Sequence, residues 1–174
     1  MNPEQFVSDE FVRWERIDGT IYDMTPSPSA EHQRIVGRLV RDIGSFLKGK
    51  ECESFVAPFD VYLNGSDQGD YVQPDITIIC DPNKIESKGC VGAPDMVVEV
   101  LSPRTAKKDK TTKLMAYQRA GVRECWIIDP YNLTVEIYLF TGDDTVFPTV
   151  YGKDESVIVS VVEGLEINLQ DIFD

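Results

Sequence analysis

Three short apolar runs are the feature that most limits how this chain of 174 residues can fold. They span 74–80, 94–101 and 123–129, and isoleucine and valine are the commonest apolar residues in them. Runs of this length and composition, bounded by Gly, Pro or Asp, are typical of buried strands. Because a helical pattern separates the second run from the third, the sequence predicts a mixed sheet with helices packed on it.

Two segments have the periodicity of amphipathic helices. From Ala30 to Leu47, apolar residues recur every four positions, and Ser29 is placed to cap the N-terminus. The second helix is predicted from Thr105 to Ala120, with Gly121 placed to end it. Helices that alternate with strands in this way indicate an α/β (α+β) architecture.

Further strands are predicted on either side of this region. An N-terminal hairpin is expected from Phe11 to Tyr22, turning at Asp18-Gly19, and another strand over 54–63. We assign no structure to 84–89. The C-terminal part is expected to form antiparallel strands over 134–140, 145–151 and 156–162. The sequence thus predicts a single domain, residues 1–174, with a central mixed sheet flanked by helices.

Composition excludes several classes of protein. No stretch approaches the roughly 18 consecutive apolar residues of a membrane span, and the first residues lack the pattern of a signal peptide. We therefore expect a cytoplasmic protein with no membrane partner. The single histidine, His32, excludes a site built on two imidazoles of one chain, so any metal must rely on oxygen ligands.

The four cysteines have no CxxC spacing, and two of them follow or sit within strand-like runs. That arrangement favours buried free thiols over zinc ligands or disulfides. The expectation covers Cys52, Cys80, Cys90 and Cys125.

The formal net charge of −13 argues against a nonspecific nucleic-acid binder, because contacts to phosphates need Lys and Arg. The charge is uneven, however. Between residues 104 and 119 a single acid, Asp109, stands against six basic residues: Arg104, Lys107, Lys108, Lys110, Lys113 and Arg119. This segment is either a solvated helix face or a binding surface.

Two carboxylates interrupt the apolar runs. Asp75 opens the first run and Glu99 lies inside the second. A carboxylate in a buried strand is costly unless another group pairs with it or a metal coordinates it. If the two strands are neighbours, Asp75 and Glu99 can share one divalent cation, as in metal-assisted phosphodiester chemistry. The alternatives are a turn aspartate after Pro74 and a buried ion pair of Glu99 with a basic helix residue.

The order of these motifs resembles a known group of enzymes. Pro74-Asp75 followed by Glu99 is similar to the PD-(D/E)XK nuclease superfamily. Within it, the chain resembles the Uma-type family of restriction endonucleases over nearly its whole length. The residues that carry this resemblance are Glu15 to Gly19, His32 to Arg34, Glu99 to Pro103, Asp109, Lys113, Tyr117, Gly121-Val122, Glu124, Trp126, Asp129-Pro130, Gly164-Leu165 and Asp171 to Phe173.

The resemblance implies a restriction-endonuclease-like fold, DNA as substrate and Mg²⁺ (or Mn²⁺) as cofactor. It also implies that Asp75, Glu99 and the Val100 backbone carbonyl bind the metal. The lysine that the superfamily pattern places two residues after the glutamate falls at Leu101, which cannot stabilise negative charge. A replacement must come from elsewhere in the chain.

Lys113 is the predicted replacement. Asp109, Lys113 and Tyr117 are spaced i, i+4 and i+8, which places them on one stripe of the helix that follows the Glu99 strand. Asp109 then either holds Lys113 in place or forms an ordinary intrahelical ion pair with it. Tyr117 is expected to be a core or wall residue that supports the site.

Two residues of the first helix are further candidates. Glu31 resembles the acidic helix residue that many superfamily members contribute to the metal, although an acid in the first turn also favours the helix dipole. His32 is expected either to support the site by a hydrogen bond or to be a satisfied structural histidine.

Three functions remain in competition at this stage. The first is a Mg²⁺-dependent DNA endonuclease that acts as a homodimer, because cutting both strands benefits from paired sites. The second is a catalytically inactive interaction module with the nuclease fold, suggested by Leu101 and by the acidic composition. The third is a carboxylate-metal hydrolase of small phosphorylated molecules, which would explain the small number of basic residues.

Overall fold

The structure, a computed structural model, describes residues 13–24, 27–66, 68–142 and 146–174. In chain order the elements are β1 (Trp14–Ile17), β2 (Thr20–Asp23), α1 (Ala30–Leu47), β3 (Glu53–Val56), β4 (Val61–Tyr62), β5 (Tyr71–Val72), β6 (Ile76–Ile79), a 3₁₀ turn (Pro82–Lys84), β7 (Ile85–Glu86), β8 (Gly89–Val91), β9 (Met96–Val100), α2 (Ala106–Lys108), a π turn (Asp109–Lys113), α3 (Leu114–Ala120), β10 (Glu124–Asp129), β11 (Thr134–Leu139), β12 (Thr149–Gly152), β13 (Ser156–Ile158), β14 (Glu166–Asn168) and α4 (Leu169–Phe173).

The central sheet has the strand order β12-β11-β10-β9-β6-β3. Strands β9 and β10 are parallel, and every other neighbouring pair in this sheet is antiparallel. Parallel neighbours need a crossover connection. Here α2, the π turn and α3 supply it as one continuous stretch, residues 106–120, which we call the basic helix.

The two faces of the central sheet are covered differently. On one face α1 packs together with the β13–β14 ribbon and α4, and its buried residues are Ile35, Val36, Leu39, Ile43 and Leu47. The other face is covered by the basic helix and by a second sheet in the order β2-β1-β5-β4-β8-β7. Both faces being covered explains why β6, β9 and β10 are almost continuously apolar.

Most predicted elements are confirmed. Helix α1 has the predicted bounds, and the Ser29 hydroxyl accepts a hydrogen bond from the His32 N–H. Gly121 ends the basic helix in the left-handed conformation, with a φ of 91°. The hairpin turns at Asp18-Gly19 as expected, while its predicted start at Phe11 lies outside the described residues. None of the helices in the described ranges is long and apolar enough to cross a membrane.

The strand predicted over 54–63 is wrong. It is split into β3 and β4, which belong to different sheets, because Pro58 lacks the N–H needed to continue a ladder. The unassigned segment 84–89 contributes to the β7–β8 hairpin. At the C-terminus β11 and β12 are antiparallel as expected, but β13 pairs with β14 and leaves the central sheet. Thr145, where the second of these strands was predicted to begin, lies outside the described residues.

The prediction of four free thiols is wrong for one pair. Cys52 and Cys80 form a disulfide, whereas Cys90 and Cys125 are free and buried as expected. The reason lies in the register of β3 and β6. Their antiparallel pairing aligns Glu53 with Ile79, so the next residues outward, Cys52 and Cys80, face each other. Only the register brings together two cysteines that are 28 positions apart.

Candidate active site

A cavity of about 390 Å³ opens where α1, the basic helix and the central sheet meet. Its walls come from the loop before α1, the loop 102–105 and the facing ends of β6 and β9. Six of the predicted site residues line it: His32, Asp75, Glu99, Val100, Asp109 and Lys113. The structure therefore brings together residues that are up to 81 positions apart in the sequence.

Asp75 and Glu99 meet because of strand register. Ile76 on β6 pairs with Val98 on β9 in antiparallel orientation. One step further along the same ladder, Asp75 stands opposite Glu99. Residues directly opposite in an antiparallel pair have Cβ atoms about 4.5–5.5 Å apart. Their carboxylates thus start from neighbouring positions, which is the arrangement that a shared cation requires.

Asp75 is held by a backbone and a side-chain donor. Its Oδ2 accepts a hydrogen bond from the Val100 N–H at 2.8 Å and lies 3.1 Å from His32 Nε2. Burial lowers the pKa of His32, but the hydrogen bond and charge of Asp75 outweigh burial and raise the pKa overall. His32 Nδ1 is buried and has no hydrogen-bond partner among the described residues. His32 thus orients Asp75 and is itself placed by the capped first turn of α1.

Lys113 lies at the bottom of the cavity, with a side chain only 2% exposed. Its Nζ is 2.5 Å from Glu99 Oε1 and 2.9 Å from Glu15 Oε1. The Tyr117 hydroxyl also donates a hydrogen bond to Glu99 Oε1. Burial would lower the pKa of Lys113, but the surrounding carboxylates hold it well above its usual value. The ammonium group is therefore charged when it contacts Glu99.

The stripe formed by Asp109, Lys113 and Tyr117 follows the geometry expected from their spacing, with one local change. Residues 109–113 form a π turn inside the basic helix. Single π turns within helices are frequent at functional sites. Asp109 Oδ1 is 4.0 Å from Lys113 Nζ, so Asp109 stands beside the ammonium as a weaker partner than Glu15 or Glu99.

Sequence reasoning missed Glu15 as a site residue. Glu15 is fully buried on β1 and its carboxylate contacts Lys113 Nζ and, at 2.5 Å, Lys108 Nζ; it also accepts a hydrogen bond from the Gln73 N–H. Burial raises the pKa of Glu15, but the two ammonium groups dominate and lower it to about 2. A signal was present, because Glu15 shares the period-two face of Ile17, which is the core side of β1.

Around Lys113 the cavity has more carboxyl groups than ammonium groups. Burial raises the pKa of Glu99 to about 8, with Lys113 opposing and the Asp109 and Asp75 carboxylates reinforcing the shift. Burial raises the pKa of Asp109 in the same way. A further cation would reduce the repulsion among the Asp75, Glu99 and Asp109 carboxylates. The carboxyl groups around Lys113 are Glu15, Asp75, Glu99 and Asp109, against the ammonium groups of Lys108 and Lys113, and Asp23, Arg13 and Arg104 also line the cavity.

The donor set matches a hard divalent cation. No three His, Cys, Asp or Glu side chains cluster as a metal site within the described ranges. Two carboxylates and one backbone carbonyl are nevertheless present, at Asp75, Glu99 and Val100. Mg²⁺ is commonly held by one or two carboxylates together with waters and substrate phosphates. The residues fit Mg²⁺ or Mn²⁺, and they do not fit a structural zinc ion.

Comparison with known proteins agrees with this fold. A family model described as "Uma2: Putative restriction endonuclease" matches residues 4–170. The chain belongs to the Uma2 family. The family resemblance found in the motifs, from Glu15-Arg16 to Gly164-Leu165, is thereby confirmed.

Two individual relatives extend the Uma2 match. "Uncharacterized protein slr1290" of Synechocystis is 29% identical over 144 residues, which cover 78% of this chain and 74% of that protein. A crystal structure of "a putative nuclease belonging to DUF820" from Anabaena variabilis is 26% identical with a TM-score of 0.71. The match covers 92% of this chain and 89% of that chain. The predicted restriction-endonuclease-like fold is confirmed.

Three residues named in the sequence analysis lie away from the cavity of this Uma2-family chain. Glu31 does not line it, and its carboxylate instead pairs with Arg34 at 2.9 Å on the exposed side of α1. Leu101 is 4% exposed and packs in the core between the two sheets. Trp126 is buried on the α1 face of the central sheet, where its indole N–H donates to Glu124.

Proposed function

We propose that this chain is a Mg²⁺- or Mn²⁺-dependent endonuclease that hydrolyses phosphodiester bonds of DNA. One observation carries the proposal: register-paired Asp75 and Glu99 line the same cavity as the buried Lys113 ammonium. The Uma2 family description and the nuclease description of the Anabaena structure support nuclease function in general. The oxygen donors of Asp75, Glu99 and Val100 support the choice of metal.

In this proposal Asp75, Glu99 and the Val100 carbonyl hold the metal ion. When bound, the ion supplies Lewis-acid chemistry, which polarises the phosphoryl oxygen and makes water a better nucleophile. Glu31 is left out of this set because its carboxylate faces solvent with Arg34. The second oxygens, Asp75 Oδ1 and Glu99 Oε2, accept no hydrogen bond from the described part of the chain and are the ones available to a cation.

The remaining side chains orient the metal ligands and balance negative charge on the substrate. The Lys113 ammonium stands where it can donate to a phosphate oxygen and offset negative charge that develops there. Glu15 and Asp109 hold that ammonium, and the Tyr117 hydroxyl donates to the same Glu99 oxygen that Lys113 contacts. His32 fixes Asp75. Leu101 occupies the position where the superfamily pattern has a lysine. Lys113, on the basic helix, supplies the positive charge instead.

A paired set of variants tests the proposal. Asp75→Asn keeps an oxygen that accepts from the Val100 N–H but removes the charge that binds metal. Asp154→Asn is the matched control, because Asp154 is exposed and far along the chain. We expect wild type and Asp154→Asn to cleave a DNA oligonucleotide with Mg²⁺ or Mn²⁺, and to be stabilised by either ion in a melting assay. Asp75→Asn should lose both responses.

The same assays distinguish the two alternatives. Absence of cleavage together with an unchanged metal response in Asp75→Asn would favour an inactive interaction module. Turnover of nucleotide monoesters without polynucleotide cleavage would favour a hydrolase of small phosphorylated molecules. The homodimer and the cytoplasmic location stay predictions, and light scattering on purified protein measures the first of them.

A further inference from the structure

A second groove continues from the candidate active site along the start of the basic helix. It has a volume of about 580 Å³. Its lining residues lie between positions 104 and 112, at the start of the basic helix, and at Tyr22 and Asp23 of β2. The cavity and the groove share four lining residues: Asp23, Arg104, Thr105 and Lys108. The two spaces are therefore continuous, and a chain-like ligand can occupy both.

The groove is the basic part of an acidic protein. Arg104, Lys107 and Lys108 all line it, in a chain whose formal net charge is −13. Lys108 is already paired with Glu15 inside the cavity. Lys107 is exposed and makes no ion pair with any described residue. An exposed lysine beside a continuous groove is suited to a ligand that carries repeated negative charge.

An aromatic side chain completes the groove wall. Tyr22 at the end of β2 is half-buried, and the Lys108 ammonium lies 5.5 Å from the centre of its ring. Grooves that bind single-stranded nucleic acid combine backbone-neutralising cations with aromatic rings on which bases stack. Thr111 and Thr112 add hydroxyl groups along the same wall.

The depth of the site favours an unpaired strand over a paired helix. Glu99 and Lys113 have side chains only 5% and 2% exposed, so a scissile phosphate must enter the cavity to reach them. Duplex DNA is a stiff rod with a persistence length of about 150 base pairs, so it bends into a cavity less readily than a single strand does. A single strand can follow the groove and pass one phosphate into the cavity.

We propose that the groove lined by Tyr22, Arg104 and Lys107 guides one unpaired DNA strand to the candidate active site. The unpaired strand, and not the intact duplex, is the form that the enzyme cleaves. The inference rests on the proposed nuclease function for its biological meaning. Its contacts, however, lie outside the proposed metal ligands and can be tested by binding alone.

Binding of DNA in EDTA, which prevents metal-dependent cleavage, tests the groove directly. Fluorescence anisotropy would compare a labelled mixed-sequence 12-nucleotide strand with its blunt duplex, using full-length wild-type protein. We expect the strand to bind about tenfold more tightly than the duplex. Lys107→Glu should weaken strand binding about threefold to tenfold and flatten its dependence on salt.

Matched variants keep the test specific. Lys48→Glu makes the same charge change at the other end of α1, about 24 Å along the helix axis from His32, and should bind as wild type does. Tyr22→Ala should weaken strand binding about tenfold, whereas Tyr131→Ala, on an exposed turn, should not. Equal affinity for strand and duplex, or equal effects of Lys107→Glu and Lys48→Glu, would overturn the inference.

A small substrate separates this inference from the proposed function. Bis(4-nitrophenyl) phosphate reaches the cavity without needing the groove, so Lys107→Glu should hydrolyse it at the wild-type rate with Mn²⁺. If wild type hydrolyses neither this diester nor DNA, the proposed function fails while the binding result still decides the groove. If Lys107→Glu loses diester hydrolysis while keeping its melting temperature, the residue belongs to the reaction centre and the groove assignment is wrong.

Discussion

Two buried glutamates in neighbouring strands of the central sheet have opposite surroundings. Glu124 on β10 is fully buried and accepts hydrogen bonds from the Trp126 indole, the Ser160 N–H and the Val161 N–H. All three donors are neutral. Glu99 on β9 is almost equally buried, but it contacts the Lys113 ammonium and the Tyr117 hydroxyl and lines a cavity.

The comparison shows that burial of an acid alone does not indicate catalysis. Glu124 joins the central sheet to the turn at 160–161, because its carboxylate satisfies backbone donors that would otherwise be buried without partners. Glu99, in contrast, contacts the charged Lys113 ammonium and borders a cavity in which a ligand fits. The identity of the donors, and the presence of a cavity, separate the structural acid from the candidate ligand.

The largest expected effect comes from Glu99→Gln. The amide oxygen can still accept from Tyr117, so folding should be preserved, but a metal-binding charge is lost. We expect kcat for DNA cleavage to fall about 10²–10³-fold or more, with no stabilisation by Mg²⁺ in a melting assay. Glu163→Gln, at an exposed position, is the control. Normal cleavage by Glu99→Gln would remove the distinction between the two glutamates.

The second effect concerns pH and Glu15. Its pKa falls from the ordinary 4.5 to about 2 because Lys113 and Lys108 surround it in the fold. The stabilisation that this ion pair contributes is therefore complete above pH 4.5 and is lost as the pH falls through about 2. It amounts to about 3 kcal/mol at neutral pH. Urea unfolding should show Glu15→Gln well below wild type at pH 6, with a gap that narrows by pH 3.

The sequence predicted the parts of the fold in which burial imposes a pattern. Strands β6, β9 and β10 are covered on both faces, which requires the apolar runs that identified them. Helix α1 buries one stripe, and its period-four residues predicted that stripe. Asp75 and Glu99 were found because each is a charged residue in an apolar run, and Lys113 because it shares a helical stripe with Asp109 and Tyr117.

The sequence could not predict features that depend on register and on short strands. In the second sheet β4, β5 and β7 have two residues each, which is too short to show any period. The Cys52–Cys80 disulfide follows from the alignment of β3 with β6, and Glu15 becomes a site residue only when β1 is laid over the basic helix. None of these relations exists within a local window of sequence.

The third effect concerns the structural glutamate, Glu124. Its contribution to stability changes with pH in the opposite direction to that of Glu15. Burial raises the pKa of Glu124, with its three hydrogen bonds opposing the shift. A raised pKa favours the protonated form in the fold, so this stabilisation is present below the ordinary pKa and lost as the pH rises through the raised one. Glu124→Gln can keep one acceptor oxygen for the Ser160 and Val161 N–H groups, but its NH₂ then faces the Trp126 indole N–H, which is also a donor. The variant should lower the free energy of unfolding by about 1–3 kcal/mol.

The cost of Glu124→Gln should grow between pH 7 and pH 4, whereas the cost of Glu15→Gln should stay constant down to about pH 4.5 and shrink below it. Urea unfolding of both variants from pH 7 to pH 3 would measure the two trends. Cleavage by Glu124→Gln should stay near the wild-type rate at temperatures where it is folded. A folded but inactive Glu124→Gln would show that this glutamate belongs with Glu99 after all.

The smallest expected effect separates orientation from chemistry at His32. His32 contacts Asp75 through Nε2 and reaches no other described charged group by hydrogen bond, so it acts on the site only by holding a carboxylate. Residues that orient metal ligands typically contribute about tenfold to activity or metal affinity. His32→Gln, whose amide can still donate to Asp75, should keep most activity, while His32→Ala should lose about tenfold in kcat and require more Mg²⁺. A loss as large as that of Glu99→Gln in both variants would mean that the imidazole takes part in proton transfer, and the division between oriented and orienting groups at this site would have to be redrawn.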